Sequence, residues 1–211
     1  SRDKHKLYHQ DLYSWHLPSN KLTKLSHQQN IRRFDLDRSN GVIYAVQSRY
    51  GASKLVKLQP IEQGYDISEL TAADYRMYYD FPRVNPKNQG QVAYLKQQIN
   101  QPWQLLIENF NTGDKVIVPM PDNYQFLSFI EWSQSGEQLY YVASTDEQLK
   151  IYVYDLADHK LYQVTNGHHP VAWPMEFSRE QEDSLLYLSL RSQGPDIYQL
   201  ALTSDDKVPV Q

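Results

Sequence analysis

Seven histidines and twenty-five carboxylates are the groups in this 211-residue chain that could hold a metal or move a proton. Their spacing argues against both uses. His168 and His169 are adjacent in the loop before a strand, and neighbours entering a strand point to opposite faces, so they cannot share one ion. His5 and His9 stand four apart, a chelating interval on a helix, but they flank a stretch of strand character and no H-E-x-x-H accompanies them. Glu180, Glu182, Asp183, Asp205 and Asp206 fall in loop-like runs, where carboxylates are solvated surface. No G-x-S-x-G elbow is present to raise a nucleophile, and neither Gly-rich phosphate cradle occurs. The chain has no cysteine, which removes thiol nucleophiles and Cys-ligated zinc. The expectation is a protein that is not an enzyme, uses no metal or cofactor, and works through its surface.

The elements that carry such a surface are announced by an internal repeat. Phe126–Trp132, Leu139–Ala143, Ile151–Leu156 and Lys160–Thr165 read as four short antiparallel strands, because β-branched and aromatic residues alternate between Ser/Gly and Asp punctuation. The unit recurs. First strands carry Phe34/Leu36, Pro82/Val84, Ile130/Trp132 and Met175/Phe177, each followed by a small polar residue expected to cap the same turn: Asp37, Asn85, Ser133 and Ser178. Second strands carry Tyr44, Tyr94, Tyr141 and Tyr187 at one shared core position. Central strands such as Leu139–Ala143 and Leu185–Leu188 are apolar on both faces, so both faces must be covered. Four-stranded blades packed radially meet that demand.

The predicted organisation is all-β: one partial β-propeller over 1–211, with a half blade at 1–26 and blades at 27–71, 72–121, 122–166 and 167–211. Val208-Pro209-Val210 is expected as the outer strand of the last blade, where an edge tolerates proline. Ala72-Ala73 could start a helical turn, but an extended approach to Phe81-Pro82 fits the following tyrosines better. Four and a half blades leave the half blade without inner strands, which points to a portion of a ring of about six to eight blades. An unpaired aromatic edge at 7–17 would then invite edge-to-edge self-association. With 21 basic against 25 acidic residues the net charge is −4, giving no footprint for nucleic acid or anionic lipid. No apolar run is long enough to insert in a membrane.

Several segments resemble the TolB-type, WD40-like β-propeller repeat: Phe81-Pro82-Arg83-Val84-Asn85-Pro86, Ser48-Arg49-Tyr50-Gly51, Ile197-Tyr198 and Val164-Thr165. The Asp-Gly turn of that repeat stands here as Asn40-Gly41, Gln89-Gly90 and Ser135-Gly136. The resemblance implies an exported or periplasmic protein that binds a protein partner in the cell envelope, or another domain of its parent chain, without catalysis. The alternative it leaves open is the gating propeller of a prolyl-oligopeptidase-type serine peptidase. The expected binding face is the rim formed by the connectors between blades and the second-to-third-strand turns. Tyr78, Tyr79, His168 and Trp173 are its candidate anchors, since aromatic rings give large contact area at small entropic cost. Trp173 fits a core place in its inner strand equally well. Arg49 and Arg191 occupy equivalent turns on the same rim, where a structural bond to loop carbonyls is favoured over ligand contact.

Overall fold

The computed structural model describes residues 10–62, 64–145, 147–179, 182–202 and 207–210, with the side chains of Arg179 and Glu182 excluded. His5, His9, Glu180, Asp205 and Asp206 therefore lie outside the described residues. The described elements are strands. A hairpin of β1 (Tyr13–His16) and β2 (Lys21–Lys24) comes first. The first sheet holds β3 (Ile31–Leu36), β4 (Ile43–Arg49), β5 (Ala52–Ile61) and β6 (Gly64–Glu69), and the second β7 (Met77–Val84), β8 (Gln91–Gln98), β9 (Gln104–Asn109) and β10 (Lys115–Ile117). The third is built from β11 (Phe126–Trp132), β12 (Gln138–Thr145), β13 (Gln148–Asp155) and β14 (Lys160–Gln163), and the fourth from β15 (Val171–Arg179), β16 (Glu182–Arg191) and β17 (Gly194–Ala201). Within each sheet consecutive strands pair antiparallel, the blade pattern of a β-propeller. The approach to β7 holds no helix, as the sequence favoured, but it is not extended throughout: Asp74 bridges to Ser53 and Tyr75-Arg76 form a turn closed by the Met77 N–H on the Asp74 carbonyl.

Alternation along the second strands sets the stacking order. Val92 and Tyr94 look back on Val42, Tyr44 and Val46 of the first sheet, whereas Ala93 and Leu95 meet Leu139 and Tyr141 of the third. In the third sheet Tyr140 and Val142 look forward on Leu185 and Val171 of the fourth. The second and third sheets are thus each held to both neighbours by opposite faces of one strand. Hydroxyls fasten the third and fourth strands within a blade. The Leu55 N–H donates to Thr71 Oγ1 and the Ile151 N–H to Thr165 Oγ1, both at 2.9 Å. Leu12 N–H donates to Ser26 Oγ at the same distance. That shared clamp marks β1 and β2 as counterparts of the third and fourth strands of a blade, and gives the Val164-Thr165 segment of the repeat its physical basis.

Three readings of the sequence need correction. Val208-Pro209, here β18, is not the outer strand of the fourth sheet: it pairs with Gln163 and Tyr162 as a fifth strand of the third. The outer edge of β14 accepts a proline without losing a ladder bond, and Val210 gains apolar contact with the core between the second and third sheets. Tyr44 does not share the position of Tyr94 and Tyr141. It pairs with Asp35 one residue beyond the turn-proximal pair Leu36/Ile43, and so faces the next sheet instead of the previous one. Ser178 does not cap a tight turn either, because the β15–β16 hairpin runs on to an Arg179/Glu182 pair and Ser178 Oγ donates across it to Asp183. Asp37, Asn85 and Ser133 do cap their turns, each accepting nearby backbone N–H groups.

Two predictions follow from these fastenings. Gly136 has φ +73°, and a Cβ there would lie 2.2 Å from Asn85 Oδ1, whose amide donates to the Gly136 carbonyl. Gly113 has φ +85° with open space around it. Gly136→Ala should therefore cost more than about 1 kcal/mol in urea unfolding, and clearly more than Gly113→Ala, which carries the backbone term alone. Asp11 ties the β1–β2 hairpin to the first connector, accepting from Lys24 Nζ, Ser26 Oγ and the Gln28 and Gln29 N–H groups. Burial pushes its carboxyl upward, but the Lys24 and backbone donors together hold it well below the ordinary carboxylate range. A depressed folded value means stability that is present above about pH 4 and lost as the pH falls below it. Melting temperatures across that window should drop more steeply for the native chain than for Asp11→Asn, and equal slopes would show that the carboxylate is not the fastening.

Candidate functional site

The inner strands β7, β11 and β15 each carry a bulge at the same sheet position. Register is lost between Asp80 and Arg83, Ser128 and Glu131, and Ala172 and Met175, so two residues face one: Tyr94, Tyr141 or Tyr187. In all three the first inserted residue is aromatic and left-handed: Phe81 (φ 47°), Phe129 (φ 54°) and Trp173 (φ 48°). Non-glycine residues seldom adopt this conformation, and bulky ones least. The second inserted residue is Pro82, Ile130 or Pro174, and a proline there loses no ladder bond.

The bulges turn the three rings onto one another. Phe81 and Phe129 meet edge to face with centroids 6.2 Å apart, and Phe129 and Trp173 at 4.9 Å. Arg33 of the first sheet places its guanidinium 4.6 Å from the Phe81 centroid, while also pairing with Asp80 at 3.6 Å. The three rings, together with Met175, Leu186, Leu188 and Ile197, line a cavity of about 470 Å³ between the inner strands and the open side of the fourth sheet. Trp173 remains 60% exposed in it.

Beneath the rings sits one ion pair. Arg83 Nε lies 3.3 Å from Glu131 and donates to the Ile130 carbonyl at 3.1 Å, and its own carbonyl accepts from Trp132 Nε1 at 3.0 Å. Burial pushes the Glu131 carboxyl up, Arg83 opposes the shift and the charge of Asp35 adds to it. Asp35, Glu131 and Glu176 border a second chamber of about 330 Å³ that shares Glu131 and Met175 with the first. Asp35 is engaged by the Val84 N–H and Glu176 by the Gln134 N–H, so these carboxylates brace neighbouring inner strands. No group of three His, Cys, Asp or Glu residues among those described is arranged to hold a metal ion.

Of the six residues the sequence offered as binding candidates, Trp173 reaches this cleft, and Tyr78, Tyr79, His168, Arg49 and Arg191 do not line it. Tyr79 is corrected from rim anchor to core residue. β7 already begins at Met77, so alternation turns Tyr79 inward, 6% exposed, against Val46, Leu55 and Tyr94. Tyr78 points the other way and is exposed. Arg49 stacks on Tyr50 at 5.2 Å and Arg191 on Tyr198 at 4.5 Å in their own hairpins, and among the described residues neither donates to a loop carbonyl. His168 Nδ1 lies 3.3 Å from Gln148 Nε2, which places that connector beside the β12–β13 turn. Phe81 and Phe129 escaped the sequence reading as site residues. Their signal was present as an aromatic followed by Pro or Ile in each inner strand: Phe81-Pro82, Phe129-Ile130 and Trp173-Pro174.

Antiparallel blades with inner strands gathered around a cleft define the chain as a β-propeller with the TolB-like repeat fold. Solved structures bear this out. TolB from Acinetobacter baumannii superposes with TM-score 0.61 at 10% identity, covering 95% of this chain and 50% of its own. An oligogalacturonate lyase in complex with manganese gives 0.66 at 13%, covering 92% and 55%. The tricorn protease gives 0.55 at 14%, covering 81% and 16%. The chain thus spans about half the length of the first two, and the likeness is one of fold. No protein-family model matches the sequence, and no curated protein matches it either.

The ion pair generates a direct prediction. Replacing Arg83 by Gln removes the cation that opposes burial at Glu131, so the carboxyl should titrate at still higher pH in Arg83→Gln, as followed by carbon NMR of its side chain. An unchanged midpoint would mean that Arg83 does not act on Glu131.

Proposed function

We propose that this chain is a non-catalytic binding propeller of a cell-envelope protein, and that it takes an extended apolar segment of a partner protein into the cleft between Phe81, Phe129 and Trp173. The observation that carries this reading is the threefold repetition of an aromatic residue in a strained left-handed bulge, each ring turned into the same cavity. Strain of this kind is held where a side chain must be aimed. The volume suits one or two side chains of a ligand, and the lining is aromatic and aliphatic with one paired arginine and glutamate. The lining holds no serine, histidine, cysteine or lysine, and its one carboxylate, Glu131, is paired with Arg83, so what the cleft mainly offers a ligand is shape and ring surface.

The test is a selection from a displayed peptide library against the immobilised chain, followed by titration of a selected peptide. Selected sequences should be rich in aromatic and aliphatic residues. Removing an exposed anchor ring from a desolvated contact typically costs about 1.4 kcal/mol or more, so Trp173→Ala should weaken binding about tenfold. Arg49→Ala, on the distant hairpin, should leave it unchanged. Equal affinity for Trp173→Ala and the native chain would move the site out of the cleft.

A further inference from the structure

The sequence contains two Asn-Gly pairs, Asn40-Gly41 and Asn166-Gly167, and both asparagines are exposed. An asparagine before glycine can lose its side-chain amide unaided, because no β-carbon on the glycine hinders its backbone nitrogen from reaching the asparagine Cγ. What holds the two reacting groups decides whether a folded chain permits it. At the first pair both are tied. The Gly41 N–H donates to the Asp37 carbonyl at 2.8 Å, Asn40 Nδ2 donates to Asp37 Oδ2 at 2.8 Å, and Asn40 Oδ1 accepts from the Val42 N–H at 2.9 Å. The second pair lies in the connector between β14 and β15, outside any strand or turn. Among the described residues, neither the Gly167 N–H nor Asn166 Nδ2 has an acceptor. The bond that Asn166 does make favours the reaction: Gln163 Nε2 donates to Asn166 Oδ1 at 2.7 Å, and is held in place by the Thr165 carbonyl at 3.0 Å. A fixed donor at that oxygen stabilises the charge that grows there when a nucleophile adds to Cγ. Of the eight glycines, Gly167 is the one without a positive φ, and a Cβ built on it meets nothing nearer than the His169 nitrogen at 4.0 Å. The fold therefore does not require glycine at this place.

We propose that Asn166-Gly167 is a site of spontaneous modification in the folded protein, with Gln163 as the activating donor. The Gly167 nitrogen attacks Asn166 Cγ, the N–Cγ bond forms, the Cγ–Nδ2 bond breaks, and ammonia leaves with the proton of the Gly167 amide. The five-membered succinimide that results is opened by water. Addition at Cγ breaks the new bond and gives aspartate on an unchanged main chain. Addition at the Asn166 backbone carbonyl breaks the old peptide bond instead and gives isoaspartate, whose main chain runs through the former side chain and is one carbon longer. Either product adds a negative charge at the joint between the third and fourth blades, beside Gln163, whose main chain pairs with Val208. The extra carbon is taken up locally. Thr165 is fixed on one side by the Ile151 N–H and Val171 on the other by its apolar core with Tyr140 and Val142, while residues 166–170 between them are exposed. The blades thus survive the change, and the connector carries a covalent record of the protein's age.

The test is independent of what the cleft binds. The chain is incubated at neutral pH and physiological temperature, sampled over time, digested and mapped by mass spectrometry, with electron-transfer fragmentation to separate aspartate from isoaspartate. Asn166 should convert to both products. Asn40 should lag on the order of a hundredfold, since three neutral hydrogen bonds must break before it can react. In guanidinium chloride the two pairs should convert at similar rates, which ties the difference to the fold. Gly167→Ala should slow conversion of Asn166 in both states, because the added β-carbon crowds the attacking nitrogen. Gln163→Leu should slow it about threefold to tenfold in the folded chain, the worth of one neutral hydrogen bond, and leave the rate in denaturant unchanged. Matching circular dichroism and melting curves would establish that both variants are folded. Equal rates at the two pairs in the folded chain, or an Asn166 that stays an amide while Asn40 converts, would overturn the proposal. A rate for folded Gln163→Leu equal to or above the native rate would overturn the role given to Gln163.

Discussion

Every part of this molecule depends on a central strand being apolar on both faces. Tyr140 and Tyr141 are adjacent, both fully buried, and point into different cores. A sheet built on such a strand cannot rest in water on either side. At roughly 25 cal/mol per Å² of apolar surface, leaving one face of a blade open costs several kcal/mol, which is why blades come in stacks. The polar groups follow from this constraint. Asn85, Trp132 and Gln134 bond across to the neighbouring blade because the stacked sheets bring their turns together.

The cleft is a by-product of the same stacking, used with an added device. Inner strands converge, and a regular strand would point alternate side chains along the sheet normal into the blade cores. An inserted residue in the left-handed region breaks that rule and turns a ring toward the axis. The cost of the backbone is met by the sheet on either side, and the rings then support one another edge to face. The first sheet has its irregularity earlier, between Ile31 and Arg33, and contributes the Arg33 guanidinium in place of a ring.

Blade architecture was legible in the sequence because it rests on patterns a sequence displays: alternation, turn residues and a repeated hydroxyl after Leu or Val. The Leu25-Ser26, Leu70-Thr71 and Val164-Thr165 pairs each perform the same clamp. The cleft was less legible, since alternation says which face a residue takes and not where an extra residue enters. Trp173 could be named for its type, but Phe129 needed the register of β11 against β12 to be seen as its counterpart. Tyr79 failed for the converse reason: its place was assigned to a connector, and one more strand residue before it turned it into the core. The partner of Val208-Pro209 was beyond reach, because a short edge strand carries no mark of the sheet it will join.

That last strand gives the chain an order of assembly. Among the described pairings, each joins strands adjacent in sequence except β14 with β18, where Tyr162 meets Pro209 and Gln163 meets Val208. Local hairpins form early and cheaply, while a contact across the whole fourth blade must wait for loop closure. As the chain emerges from the ribosome, the third blade is complete in four strands and keeps an open outer edge until the fourth blade has been made. The return of Val208 then fastens the fourth blade to its predecessor and closes that edge.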